Sequence, residues 1–196
     1  MVIAHHLIFT AYGWWLPNDP RGSESHEIRV ERIAELGELH HGRKPVQPLP
    51  SVLRDFYRRA SDNLKHELLQ FDEADWEVVA GSFARVIREA GYTCYACALM
   101  PDHVHLLVRR HRDQAEVMLE RFQEASREDL IAAGRRPVVH PVWGGPGWKV
   151  FLNSRDGIER VIRYIRANPV IIGRPIQEWP FVTPYNGWLP RPARET

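Results

Sequence analysis

The sequence predicts an α+β sandwich in which helices lie over one face of an antiparallel sheet. Short apolar segments rich in β-forming residues recur at 4–11, 92–100, 104–110 and 149–153. Segments of helical period fall between them in irregular alternation, not in the strict strand–helix repeat of a parallel sheet. The chain has 196 residues, 44% of them hydrophobic and 26% charged, which suits a single domain with its own core.

Residues 4–11 form the first expected strand. The stretch 12–50 is broken by Pro17, Pro20, Gly22, Gly42, Pro45, Pro48 and Pro50, and reads as a long insertion or loop. Loops of this length in compact domains usually serve function or are disordered. A short helix at 27–39 is expected within it, on the apolar Ile28, Ile33, Ala34 and Leu36. Ser51 would cap a helix running to 69. Asp72 or Asp75 would cap the next, where Trp76, Val79, Phe83, Val86, Ile87 and Ala90 recur at helical spacing and Gly91 ends the run. Residues 92–100 read as a strand and Pro101-Asp102 as a break. The strand at 104–110 places Leu106 and Val108 on the face opposite His103, His105 and Leu107. Asp113 would open a helix to 133, closed by Gly134. Residues 135–148 are irregular and 149–153 a short strand. Ser154 or Asp156 would cap a helix to 167, stopped by Pro169. An irregular tail from about 170 carries Pro175, Pro180, Pro184, Pro190 and Pro192.

Composition narrows the function classes. No apolar run reaches the roughly 18 residues of a membrane span. The opening residues 1–6 have no basic, cleavable leader pattern, so a cytoplasmic protein without membrane contact is expected. Cys94 and Cys97 have the spacing of a redox or zinc pair. On a regular strand, however, residues three apart face opposite sides, which makes them small core hydrophobes. The net charge of +1 is uninformative, but the C-terminal half is net basic and lysine occurs only at Lys44, Lys65 and Lys149. Arginine, the dominant cation, suits planar contacts to phosphate and bases. No Gly-rich phosphate loop of the P-loop type is present.

Two segments carry chemistry. In His103-Val104-His105, a strand holds residues i and i+2 on one side, about 6.6 Å apart along the chain. Two imidazoles so placed converge on one cation. The helix at 156–168 puts Ile158, Val161, Ile162 and Ile165 in a core stripe. Arg160, Tyr164 and Asn168 follow at i, i+4 and i+8, on the border of that stripe. A phenol there can leave the core for a cleft, and an amide oxygen can reach a metal. Read alone, each segment also fits packing: an H-x-H pair in a core, and an amphipathic helix with an Asn-Pro stop.

Taken together, the segments resemble a known family. The stretch Leu99-Met100-Pro101-Asp102-His103-Val104-His105-Leu106-Leu107-Val108 is similar to the HUH segment of single-tyrosine transposases. Arg163-Tyr164-Ile165-Arg166-Ala167-Asn168-Pro169-Val170 is similar to the segment that carries their nucleophile, and His6-Leu7-Ile8-Phe9-Thr10 resembles their opening strand. The resemblance is nearest to REP-associated tyrosine transposases and covers roughly residues 4–11 and 80–185. It implies a ferredoxin-like sheet with the HUH histidines on a central strand. It also implies a divalent ion, Mg²⁺ or Mn²⁺, held by His103, His105 and Asn168, with Tyr164 as nucleophile.

The implied activity is cleavage and rejoining of single-stranded DNA beside a REP-like hairpin through a 5′-phosphotyrosine, in a monomer or a homodimer. Arg109, Arg110, Arg160, Arg163 and Arg166 are candidate DNA-backbone contacts, and Trp14, Trp15 and Trp143 candidate base-stacking residues. Two departures from the family pattern bear on DNA specificity: Val142-Trp143-Gly144-Gly145-Pro146-Gly147 stands where a Val-Trp-Gln segment is usual, and the 12–50 insertion is long. The alternative is a domesticated relative that binds hairpin DNA without cutting. A nucleotide hydrolase of the histidine-triad type needs a third alternating histidine, and that position is Leu107.

Overall fold

A computed structural model describes residues 1–190 other than Glu24, Arg43 and Pro146. The end of the expected irregular tail, residues 191–196 with Pro192, lies outside the described residues. The elements run β1 (Ala4–Thr10), α1 (Glu31–Ala34), α2 (Pro50–Asn63), α3 (Glu73–Ala90), β2 (Cys94–Leu99), β3 (His103–Arg109), α4 (Ala115–Ala132), β4 (Trp148–Leu152) and α5 (Arg155–Ile171).

The four strands form one antiparallel sheet in the order β2-β3-β1-β4. With α3 and α4 as the crossovers, this is the ferredoxin-like arrangement. The H-x-H strand β3 is central, paired with β1 from Ala4↔Arg109 to Thr10↔His103 and with β2 on its other side.

Side chains alternate across the sheet. Leu7, Phe9, Val104, Leu106 and Val108 join α3 and α4 through Val79, Phe83, Met118, Leu119 and Phe122 in the largest apolar cluster. Each such fully buried side chain contributes about 1.5–3 kcal/mol. Ala4, Ala96, Ala98 and Leu107 face the other way and pack with Ile158 and Ile165 of α5. Helices therefore cover both faces of the sheet, not one as expected. The cause is the isoleucine stripe of α5, which needs an apolar surface that α3 and α4 have left free.

Local chemistry explains most boundaries. Asp72 caps α3 in a capping box with Asp75, and Gly91 closes it in the left-handed region at φ 72°. Helix α4 opens at Ala115 without a side-chain cap, because the Asp113 carboxylate expected to start it accepts a 2.7 Å bond from the Tyr92 hydroxyl. Helix α2 begins at Pro50 instead of using Ser51 as cap, since proline at the first helical position has no amide N–H to satisfy. It ends at Asn63 where Leu64 turns extended, six residues before the expected end. The helix expected over 27–39 shrinks to α1: its N-cap Val30 supplies no side-chain acceptor, and Gly37 at φ 132° breaks the helical path. Helix α5 runs through Pro169 to Ile171. The proline lies so near the C-terminus that it forgoes only one ladder bond.

The cysteines correct the reading of β2. A register shift between Cys94 and Ala96 pairs Cys94 with Val108 and Cys97 with Leu106, two residues of one face. Both cysteines therefore enter the same cluster as free, buried residues. Burial pushes the Cys94 thiol up to about 12 and raises that of Cys97 well above its ordinary value. This is the behaviour of small hydrophobes.

Candidate active site

The site begins where the α5 face of the sheet stops being apolar. Toward the C-terminal end of β1 and the N-terminal end of β3, this face carries His6, Ile8 and Thr10 beside Leu107, His105 and His103 in the paired register. Alanine and isoleucine fill the layer below, so the imidazoles form the layer above.

Three rings line up. His103 Nδ1 lies 2.6 Å from an Asp102 carboxylate oxygen. His103 Nε2 lies 3.1 Å from His105 Nε2, and His105 Nδ1 lies 3.0 Å from His6 Nε2. A carboxylate only accepts, so His103 carries a proton on Nδ1 and presents Nε2 toward His105. His105 is 3% exposed and His6 5%. Burial, reinforced by the neighbouring His103 and His6, holds the His105 imidazole well below its usual range, and burial pushes His6 down to about 4. Burial alone would raise the Asp102 carboxyl, but the His103 hydrogen bond and the charges of His103 and Arg21 outweigh it, leaving Asp102 below its ordinary value. Burial thus favours the neutral forms of His6 and His105, beside an Asp102 carboxylate held below its ordinary value.

This donor set fits a divalent ion. Two nitrogens bound at about 2.1 Å with a near-right angle between them stand roughly 3 Å apart, as the two Nε2 atoms do. A cation between them would take both lone pairs and leave the His105 proton on Nδ1, donated to His6. Asp102 and His6 then stand behind the ligands, in the supporting role that fixes the tautomer of metal-bound histidines. Among the described residues, no three His, Cys, Asp or Glu side chains converge as a metal-holding group.

Tyr164 projects from α5 onto the same spot. Its ring centroid is 5.4 Å from that of His105 and 6.2 Å from that of His6, and the residue is 45% exposed. Asn168, one turn on, is 8% exposed and donates its Nδ2 to the Tyr164 carbonyl at 2.8 Å. That bond uses an amide N–H and leaves the amide oxygen to accept elsewhere. Asn168 does not line the cleft that holds Tyr164.

The cleft has a volume of about 420 Å³. Its floor is Ile8, Thr10, His103 and His105, with Tyr164 beside them. Gly144, Gly145, Gly147 and Trp148 line one wall; the other is Trp15, Arg21, Ser23, Ser25 and Gln47 of the insertion. The first wall hugs β1 because it is glycine: a Cβ on Gly147, at φ 69°, would lie 2.7 Å from the Ile8 carbonyl oxygen.

The structure separates the DNA-contact candidates. Trp15 lines the cleft, 5.2 Å from the His103 ring between centroids. Trp14 and Trp143 turn into the core, their indole N–H groups bonded to the carbonyls of Leu69 and Gln123. Arg160, Arg163 and Arg166 lie on the exposed side of α5, where Arg166 approaches Glu178 at 3.5 Å. Arg109 stacks over Trp188 and Arg110 is exposed at the strand end. None of these five arginines lines the cleft. Sequence reasoning missed Arg21 and Trp148, which do, and gave His6 and Asp102 no role of their own. The adjacent His5-His6 pair on an apolar strand was the available signal for His6.

No family model matches the chain, and none of the curated proteins compared matches it. Solved structures do. The chain is similar to a REP-associated tyrosine transposase bound to a REP hairpin, with 12% identity and a TM-score of 0.48 over 91% of this chain and 74% of that one. It is also similar to a Deinococcus radiodurans R1 protein described as a transposase, with 14% identity and a TM-score of 0.37 over 90% and 94% of the two chains.

Proposed function

We propose that this chain is a metal-dependent, single-tyrosine HUH nuclease and strand transferase that acts on single-stranded DNA beside a hairpin. One observation carries the reading: two imidazole Nε2 atoms 3.1 Å apart, backed by Asp102 and His6, share a cleft with a half-exposed tyrosine. His103 and His105 would hold Mg²⁺ or Mn²⁺, with the Asn168 amide oxygen as third ligand. When bound, the ion neutralises and orients the scissile phosphate. Among the described residues no helix is long and apolar enough to cross a membrane.

The chain's own residues do the rest. Tyr164 is open to the cleft, so water can take its proton and its oxygen can meet a phosphorus above His105. A Tyr164 O–P bond forms, the P–O3′ bond breaks, and the departing 3′ oxygen picks up a proton. The products are a 5′-phosphotyrosyl protein and a free 3′-OH. Because the ester keeps the energy of the broken bond, a 3′-OH from another strand can reverse the step, which makes joining available without a nucleotide cofactor. An unpaired substrate suits this cleft, whose lining on several sides would approach one phosphate.

Labelled hairpin strands from the DNA flanking the coding sequence, incubated with Mn²⁺ or with EDTA, test this on denaturing protein gels. The expected result is a covalent adduct with Mn²⁺ alone, absent from Tyr164→Phe. Hairpin binding that persists in both proteins with no adduct in either would instead establish a DNA-binding protein that does not cut.

A further inference from the structure

The insertion at 12–50 has a role that the nuclease chemistry does not require. It delivers Trp15, Arg21, Ser23, Ser25 and Gln47 to the cleft opposite the glycine wall. Trp15 is the one non-glycine residue with positive φ among those described, at 51°. Such backbone persists only where surrounding contacts enforce it, and it clusters where a side chain must be aimed.

The contacts that enforce it are half-buried around a buried Tyr57–Asp19 bond. The Trp15 backbone N–H donates to the Tyr57 hydroxyl at 2.9 Å. That hydroxyl donates in turn to Asp19, which is fully buried, and accepts from Arg21 Nη2 at 2.7 Å. Arg21 grips the same carboxylate through Nε at 3.0 Å and Nη2 at 2.7 Å, and its guanidinium lies 3.7 Å from the Trp15 ring centroid. Asp19, Arg21 and Tyr57 thus hold an indole rigidly at the rim of the H-x-H site, edge-on to His103. Trp148 stands on the opposite wall. Among the described lining residues, Arg21 is the fixed cation and no carboxylate is present.

A rigid aromatic shelf, a second indole opposite, amide and hydroxyl groups at the edge and no negative charge describe a receptor for a nucleobase on a phosphate chain. We propose that the insertion builds a base-binding subsite. It stacks the unpaired nucleotide next to the scissile phosphate on Trp15, with Gln47 and Ser25 at the base's edge. Asp19, Arg21 and Tyr57 act as positioning residues for that shelf. The proposal rests on the nuclease reading for its substrate, but it concerns binding alone.

The test therefore avoids cleavage by using Tyr164→Phe protein in EDTA. A short oligothymidylate, and a strand of the same length made only of abasic units, are titrated against this protein and its Trp15→Ala and Trp15→Phe derivatives. An oligomer carrying 5-iododeoxyuridine is then photo-crosslinked and its attachment site mapped by mass spectrometry. Expected are a crosslink at Trp15, about tenfold weaker thymidylate binding in Trp15→Ala, near-normal binding in Trp15→Phe, and weak binding of the abasic strand by every protein.

Equal binding of abasic and thymidylate strands would overturn the proposal in favour of a phosphate grip. Crosslinks that avoid Trp15, or unchanged binding in Trp15→Ala, would overturn it outright. Adduct formation by the Tyr164 protein alongside these failures would leave the nuclease reading intact. Base-dependent binding without any adduct would leave the subsite standing and remove the nuclease.

Discussion

The two faces of the central sheet are built from the same strands, one residue out of step. The face toward α3 and α4 shows Leu7, Phe9, Val104, Leu106 and Val108, apolar but for His5 beside Val108. The face toward α5 shows Ala4 at one end and His103 and His105 toward the other, with His6 beside Leu107 between them. The first face is closed by two helices, the second by one helix that leaves its end open to a cleft. Stability and chemistry are thereby divided between alternate positions of the same strands. Damage to one face should spare the other.

The largest effect is expected on the closed face. Phe83→Ala removes a fully buried ring between Phe9 and Phe122 and should cost about 3–5 kcal/mol in urea unfolding. The folded fraction should still bind Mn²⁺. Loss of metal binding in folded protein would mean the faces are not independent.

On the open face, His105→Ala should reduce DNA cleavage about 10³-fold, because the metal's contribution to phosphate charge is lost. Its unfolding midpoint should move far less than that of Phe83→Ala. Next comes His6→Ala, which leaves the ligands in place but removes the partner of His105 Nδ1. Calorimetric titration should show Mn²⁺ affinity reduced about 10–100-fold, with Asp102→Asn behaving alike through His103. Affinity unchanged in both would leave the imidazole chain without a supporting role.

The smallest effect is a null on the closed face. Cys94 and Cys97 should resist a thiol reagent at neutral pH, since burial has raised both thiols, and should react together once urea unfolds the chain. Rapid reaction of folded protein would show that the closed face opens.

Much of this division could be read from the chain. Period-two alternation in 103–109 assigned Leu106 and Val108 to one face and the two histidines to the other, and the helical stripe of α5 put Tyr164 at its border. Both signals are local, so sequence spacing preserves them. What escaped depends on contacts between distant segments. His6 meets His105 only because β1 pairs with β3, ninety-nine residues away. The bulge near Tyr95 turns Cys94 to the side of Cys97, and nothing in the alternation of β2 announces it. Arg21 and Trp15 reach the cleft through Tyr57 and Asp19, an anchoring that no periodicity encodes. Which way the Asn168 amide turns is likewise not set by spacing: its Nδ2 donates to the Tyr164 carbonyl one turn back, and its oxygen is not used by that bond.

On the proposed function, the open face gathers two imidazoles onto one divalent ion beside Tyr164. Mn²⁺ titration followed by electron paramagnetic resonance, on wild type, His103→Ala and His105→Ala, tests it most directly. One saturable site per chain is expected in the wild type, lost in both variants while their circular dichroism stays native. Saturable binding that survives the loss of either imidazole, or none in the wild type, would contradict it.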